Sequence, residues 1–182
     1  MPNTPEPTSN ATLNRLRAAV LGANDGIVST ASVLMGVAGA NANSKMLFTA
    51  GIAALVAGAL SMAVGEYVSV SSQRDAEKVN SKLAKEDSDE ADYTNPWQAA
   101  IASLVAFIIG GLIPLLTVIV APGTTKIPAT VIAVVVGLIF TGYFSATIGG
   151  ASRLRAITRV IAGGLIAMAI TYFIGAAFGT VV

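Results

Sequence analysis

The chain has 182 residues, of which 54% are hydrophobic and 12% charged, with a formal net charge of +1; this is too apolar and too poor in charge for a soluble domain. Near neutrality excludes a basic nucleic-acid footprint, so no nucleic-acid partner is expected. The absence of cysteine and histidine excludes thiolate zinc or iron–sulfur sites, disulfides, histidine-held haem and Ser-His or Cys-His catalysis.

Residues 1–14 open with Pro2, Pro5 and Pro7 and carry no basic n-region, so they read as a disordered tail and not as a cleaved signal peptide. Residues 15–182 form one membrane domain. A span needs about 20 mostly apolar residues at about 1.5 Å rise each. Five runs qualify, at approximately 18–40, 47–70, 97–120, 127–149 and 156–179, which predicts an all-α polytopic protein with five transmembrane helices. The first carries Asp25-Gly26 and ends in the turn-like stretch Gly39 to Ser44. The second is rich in small residues, and its polar continuation from Ser69 to Gln73 lacks Gly and Pro, so the helix is predicted to run past the membrane surface into 74–78. Residues 71–96 form a short connector whose acidic run at 85–92 reads as solvated sequence, closed by Asn95-Pro96; Trp97 marks the interface where the third span begins.

Arg15, Arg17, Arg74, Lys78, Lys82, Lys85, Arg153, Arg155 and Arg159 all flank one side of these spans, against Lys45 and Lys126 on the other. The positive-inside rule then predicts a cytoplasmic N-terminus and a C-terminus on the opposite side. An integral membrane protein, with a bacterial inner membrane as its location, is the expectation.

Of the ten acids, Glu6 lies in the tail and seven lie between Asp75 and Asp92, leaving only Asp25 and Glu66 inside apolar runs. A carboxylate at the middle of a span costs roughly 2.5–3.5 kcal/mol on insertion scales, so such a residue marks a functional site facing protein or water. With Arg159, at the edge of the fifth run, as the one Lys or Arg inside the runs and none in the first two, the two acids are expected to need a proton or a metal cation. Helix rise puts Asp25 about 10 Å and Glu66 about 6 Å inside the same surface. Met62 precedes Glu66 by one helical turn and shares its face. Carboxylates joined by a thioether favour Fe²⁺, Mn²⁺ or Co²⁺ over Mg²⁺ or Ca²⁺, and such a set can exchange metal for protons. The bland alternatives are packing for Met62, snorkelling to the interface for Glu66 and helix capping for Asp25. If the second helix continues outward, Glu77 joins Glu66 and Gln73 near one face and becomes a candidate outer metal ligand at a cation entrance. Gly22, Gly26, Gly58, Ser61 and Gly65 predict a smooth surface for homodimer association, with the pathway near the two-fold axis.

The segments Ala23 to Thr30, Ala57 to Val70, Gly110 to Leu116 and Thr171 to Gly179 together resemble the vacuolar iron transporter family. The resemblance covers all five spans. It implies a five-span homodimer whose first two helices line a central pathway, exporting Fe²⁺ from the cytoplasm in exchange for protons, with Asp25 and Met62 as pathway ligands. Eukaryotic members place a Glu two turns before the second-span Met, where this chain has Ala54, and carry a long Glu- and Met-rich cytoplasmic domain where this chain has only 71–96. The sequence is therefore more similar to the short bacterial and nodulin-21-like branch. The expectation is a proton-coupled exporter of Fe²⁺ or Mn²⁺, with the metal as transported substrate, no cofactor and no enzymatic activity. The alternatives are a metal-selective channel without proton coupling, and a structural membrane protein whose acids pair with a basic partner helix.

Overall fold

The computed structural model describes residues 10–84 and 93–179. They form five helices, α1 (Asn10–Gly39), α2 (Ser44–Ala84), α3 (Pro96–Val120), α4 (Lys126–Gly149) and α5 (Arg153–Phe178), with a 3-10 turn at Gly123–Thr125 between α3 and α4. Each of the five is long and apolar enough to cross a membrane, so the fold is the all-α five-span bundle that the sequence predicts. The first helix starts earlier than expected. Residues 10–14 belong to α1 and not to the tail, because Asn14 is buried and accepts a hydrogen bond from Arg17, and Ala18 one turn later packs against Val70 and Ala99. Residues 1–9 and the acidic run at 85–92 lie outside the described residues.

Local chemistry explains the remaining boundaries. α1 stops at Gly39, Asn41 takes a left-handed φ of 56°, and the Asn43 side chain accepts from the Met46 amide to open α2. α2 then runs for 41 residues without Gly or Pro beyond Gly65, about 60 Å by helix rise. That is twice the thickness of a hydrocarbon core, roughly 30 Å, so the predicted extension past the surface is present. Asn95 caps α3 by accepting from the Gln98 amide, and Pro96 occupies the first turn, where no donor is needed. Trp97 lies exposed beside Tyr67, with ring centroids 4.8 Å apart.

α1 is the central helix and packs against each of the other four. Two glycine seams bring backbones together. On one, a side chain at Gly26 would strike the Phe107 carbonyl of α3, and one at Gly110 would strike the Ala23 carbonyl of α1. On the other, Gly39 and Gly175 lock the far ends of α1 and α5 in the same way. This corrects the sequence reading of a self-association face. Gly22 and Gly26 are consumed by the contact with α3, and Gly58 sits on the Phe107 ring, so these three serve packing within one chain; of the residues named for that face, Gly65 has open space before it and Ser61 is exposed. α2 has a different role. It packs mainly on α3 and α1 and leaves Leu60, Val64 and Val68 well exposed.

The bundle also sorts charge by end. Lys126 donates to Ser44 at one end, joining the starts of α2 and α4. At the opposite end the start of α1, the last turn of α4 and the first turns of α5 converge, with Arg15, Arg17, Arg153, Arg155 and Arg159 on them.

Candidate metal pathway

The fully buried Phe107 of α3 meets both α1 and α2, its backbone against Gly26 and its ring against Gly58. Beside it lies a cleft of about 490 Å³, lined by Leu21, Asp25 and Ser29 of α1, by Gly58, Ser61, Met62, Gly65 and Glu66 of α2, and by Phe107. The two intramembrane acids and the methionine named from the sequence thus meet around one space. Glu66 is 6% exposed. Ser29, one turn beyond Asp25, donates from its hydroxyl to Asp25 Oδ1 at 2.6 Å, which leaves the other carboxylate oxygen available to a ligand. Met62 also packs against the cluster of Leu55, Ala59, Phe107 and Leu115, so packing and cleft lining are both true of it.

One expectation is overturned. Glu66 does have a basic partner, since Arg17 Nη2 lies 3.3 Å from Glu66 Oε1. Counting charges inside apolar runs missed it because Arg17 belongs to the flank of the first run and reaches in from there. The same nitrogen donates to Asn14 Oδ1 at 2.8 Å. The contact with Glu66 is longer than the 2.7–2.9 Å common for charge-assisted bonds and is not a two-pronged fork. Arg17 is 56% exposed, so Glu66 is lightly held.

Glu77 is not brought to the cleft. Its Oε1 accepts from Gln73 and its Oε2 accepts from both the amide and the hydroxyl of Thr94, at 2.9 and 3.1 Å. Thr94 is buried, so Glu77 ties the outer part of α2 to the segment that leads into α3. The helical-face argument correctly put Gln73 beside it and could not see that a long-range partner claims the carboxylate. Ser29 and Phe107 escaped sequence reasoning; the four-residue spacing from Asp25 was the available signal for Ser29, and nothing local marks Phe107. Among the described residues no three acids converge as a ready-made metal cluster.

The VIT family model matches residues 16–91 and 78–176, which include every residue lining the cleft. The chain belongs to the VIT family. It is similar to a protein of rice (Oryza sativa subsp. japonica) named vacuolar iron transporter homolog 2, with 46% identity over 174 residues that cover 91% of this chain and 92% of the relative. It is also similar to vacuolar iron transporter homolog 3 of Arabidopsis thaliana, 47% identical over 86% of this chain and 80% of that protein. Such even coverage in both directions fits the short form of the VIT family.

Proposed function

We propose that the chain transports a divalent metal, Fe²⁺ or Mn²⁺, out of the cytoplasm in exchange for protons. The observation that carries this reading is the convergence of Asp25, Met62 and Glu66 on one cleft between α1 and α2. The names of the VIT relatives support iron as the cargo. The carboxylates supply hard oxygen ligands, and the thioether adds the softness that separates Fe²⁺ from Mg²⁺ and Ca²⁺. A metal can bind only when both acids have given up their protons, so loading and unloading release and take up protons at the same oxygens. The excess of Arg and Lys at the end holding Arg17 sets that end in the cytoplasm.

The protein works as a homodimer in this reading. The cleft is open along α2 at Ser61 and Gly65, and one chain supplies two acids and one thioether, fewer than the six oxygen-rich positions a hard divalent ion prefers. A second copy placed against the exposed Leu60, Val64 and Val68 closes the opening and doubles the ligand set about a two-fold axis. The contact between Arg17 and Glu66 weighs against acids waiting for a foreign basic helix.

Reconstitution into liposomes with an imposed pH gradient and a panel of divalent metals tests the proposal. Fe²⁺ movement that accelerates when the acceptor side is acidic is the expected outcome. Movement indifferent to the proton gradient leaves a metal-selective channel, and no movement of any metal refutes transport.

A further inference from the structure

Arg17, the partner of Glu66, also lines a second cleft. On the side of α1 away from α2, this cleft of about 590 Å³ lies between α1, α4 and α5, walled by Leu13, Val20, Leu21, Ile148 and Val160 together with Arg17. Thr141 and Ser145 of α4 and Asn24 of α1 complete its wall. From Leu13 to Asn24 it follows α1 for about 16 Å by helix rise. It lies toward the charged end of the bundle, where the start of α1 carries Arg15 and Arg17 and the first turns of α5 carry Arg153, Arg155 and Arg159. An apolar slot with an arginine in its wall, near four more arginines, has the polarity of a lipid with a negative head.

We propose that this cleft seats an anionic phospholipid, its acyl chain along α1 and its phosphate on Arg17. Three features support this occupant over a free anion or a second protein. The walls are mostly aliphatic, which suits a hydrocarbon chain and not inorganic phosphate. The three helices that form it are each long and apolar enough to cross a membrane, so a hydrocarbon chain is at hand. The nearby arginines add to the attraction that an anionic leaflet exerts on basic residues near its surface.

The site has a consequence for the metal cleft, and this part rests on the transport reading above. Arg17 Nη2 is divided between Asn14 and a long contact to Glu66, and its side chain is more than half exposed. A phosphate can take a guanidinium through two parallel hydrogen bonds, a better arrangement than the single 3.3 Å contact. Lipid binding therefore draws Arg17 away from Glu66 and frees that carboxylate for the metal. Without the lipid, Arg17 acts as a tethered cation that competes with the cargo.

Native mass spectrometry of the detergent-purified protein, titrated separately with phosphatidylglycerol and phosphatidylcholine, tests the site without reference to transport. The wild-type protein is expected to retain phosphatidylglycerol at least tenfold more strongly. Arg17→Gln should erase that preference while keeping weak binding of both lipids, and Ser145→Phe, which fills the slot, should reduce binding of both. Circular dichroism establishes that each variant is folded; should Ser145→Phe fail there, Thr141→Leu takes its place. Equal retention of the two lipids by the wild type, or an unchanged preference in Arg17→Gln, overturns the proposal. Displacement of phosphatidylglycerol by millimolar inorganic phosphate also overturns it, since that makes the cleft a simple anion site.

Discussion

Glu66 and Glu77 stand eleven residues apart on one helix and have opposite fates, decided by what packs beside them. Glu66 faces the cleft and meets only one loosely held guanidinium, whereas both oxygens of Glu77 are occupied by Gln73 and Thr94. Replacing Glu77 by Ala leaves the buried Thr94 amide without its acceptor, a loss of about 1–3 kcal/mol. Thermal unfolding in detergent should show the lower melting temperature, while metal flux per folded molecule stays near that of the wild type; a flux collapse without destabilisation would restore Glu77 to the pathway. Met62 makes the converse case. Met62→Leu keeps the contacts with Leu55 and Phe107, so stability should change by less than about 1.5 kcal/mol, but the loss of sulfur should weaken the discrimination of Fe²⁺ from Mg²⁺ in a competition flux assay. An unchanged preference assigns Met62 to packing alone.

At the scale of the helices, the Phe107 ring joins α3 to α2 and lines the cleft. Phe107→Ala should cost about 3–5 kcal/mol and let α2 settle toward α3, seen as a lowered melting temperature together with weakened metal binding. Glycines of α1 and α2 divide by what they face. Gly26→Leu should abolish folding, because its side chain would meet the α3 backbone, while Gly65→Leu should leave the protomer intact and obstruct the dimer and the cleft; gel filtration of both variants separates these outcomes. The five spans were legible because a membrane demands about 20 apolar residues whatever they pack against. The extension of α2 was legible from the lack of breakers. The partner of each glycine was not, since small residues at helical spacing look the same whether they meet a helix of their own chain or of another copy. Arg17 was hidden for a related reason: its Cα lies in the flank, and only the three-dimensional approach of α1 to α2 carries its guanidinium to Glu66.

Over the whole molecule, α1 separates two clefts of different character, an acid-lined one toward α2 and an apolar one toward α4 and α5, with Leu21 and Arg17 on the ridge between them. The acid-lined cleft lies beside the exposed stripe of α2, so the proposed dimer buries that stripe and encloses the metal in one step. The opposite cleft stays on the outside, facing lipid. In the two proposals together, cargo takes the inner surface and lipid the outer one, with one arginine able to serve either. The most direct measurement of the central claim is the initial rate of Fe²⁺ movement in proteoliposomes under a fixed pH gradient, compared between the wild type and Asp25→Asn at equal amounts of folded protein. The substitution keeps size and can still accept from Ser29, but removes the charge, so the rate is expected to fall to that of empty liposomes; a rate equal to the wild type would contradict the assignment of the cleft as the metal pathway.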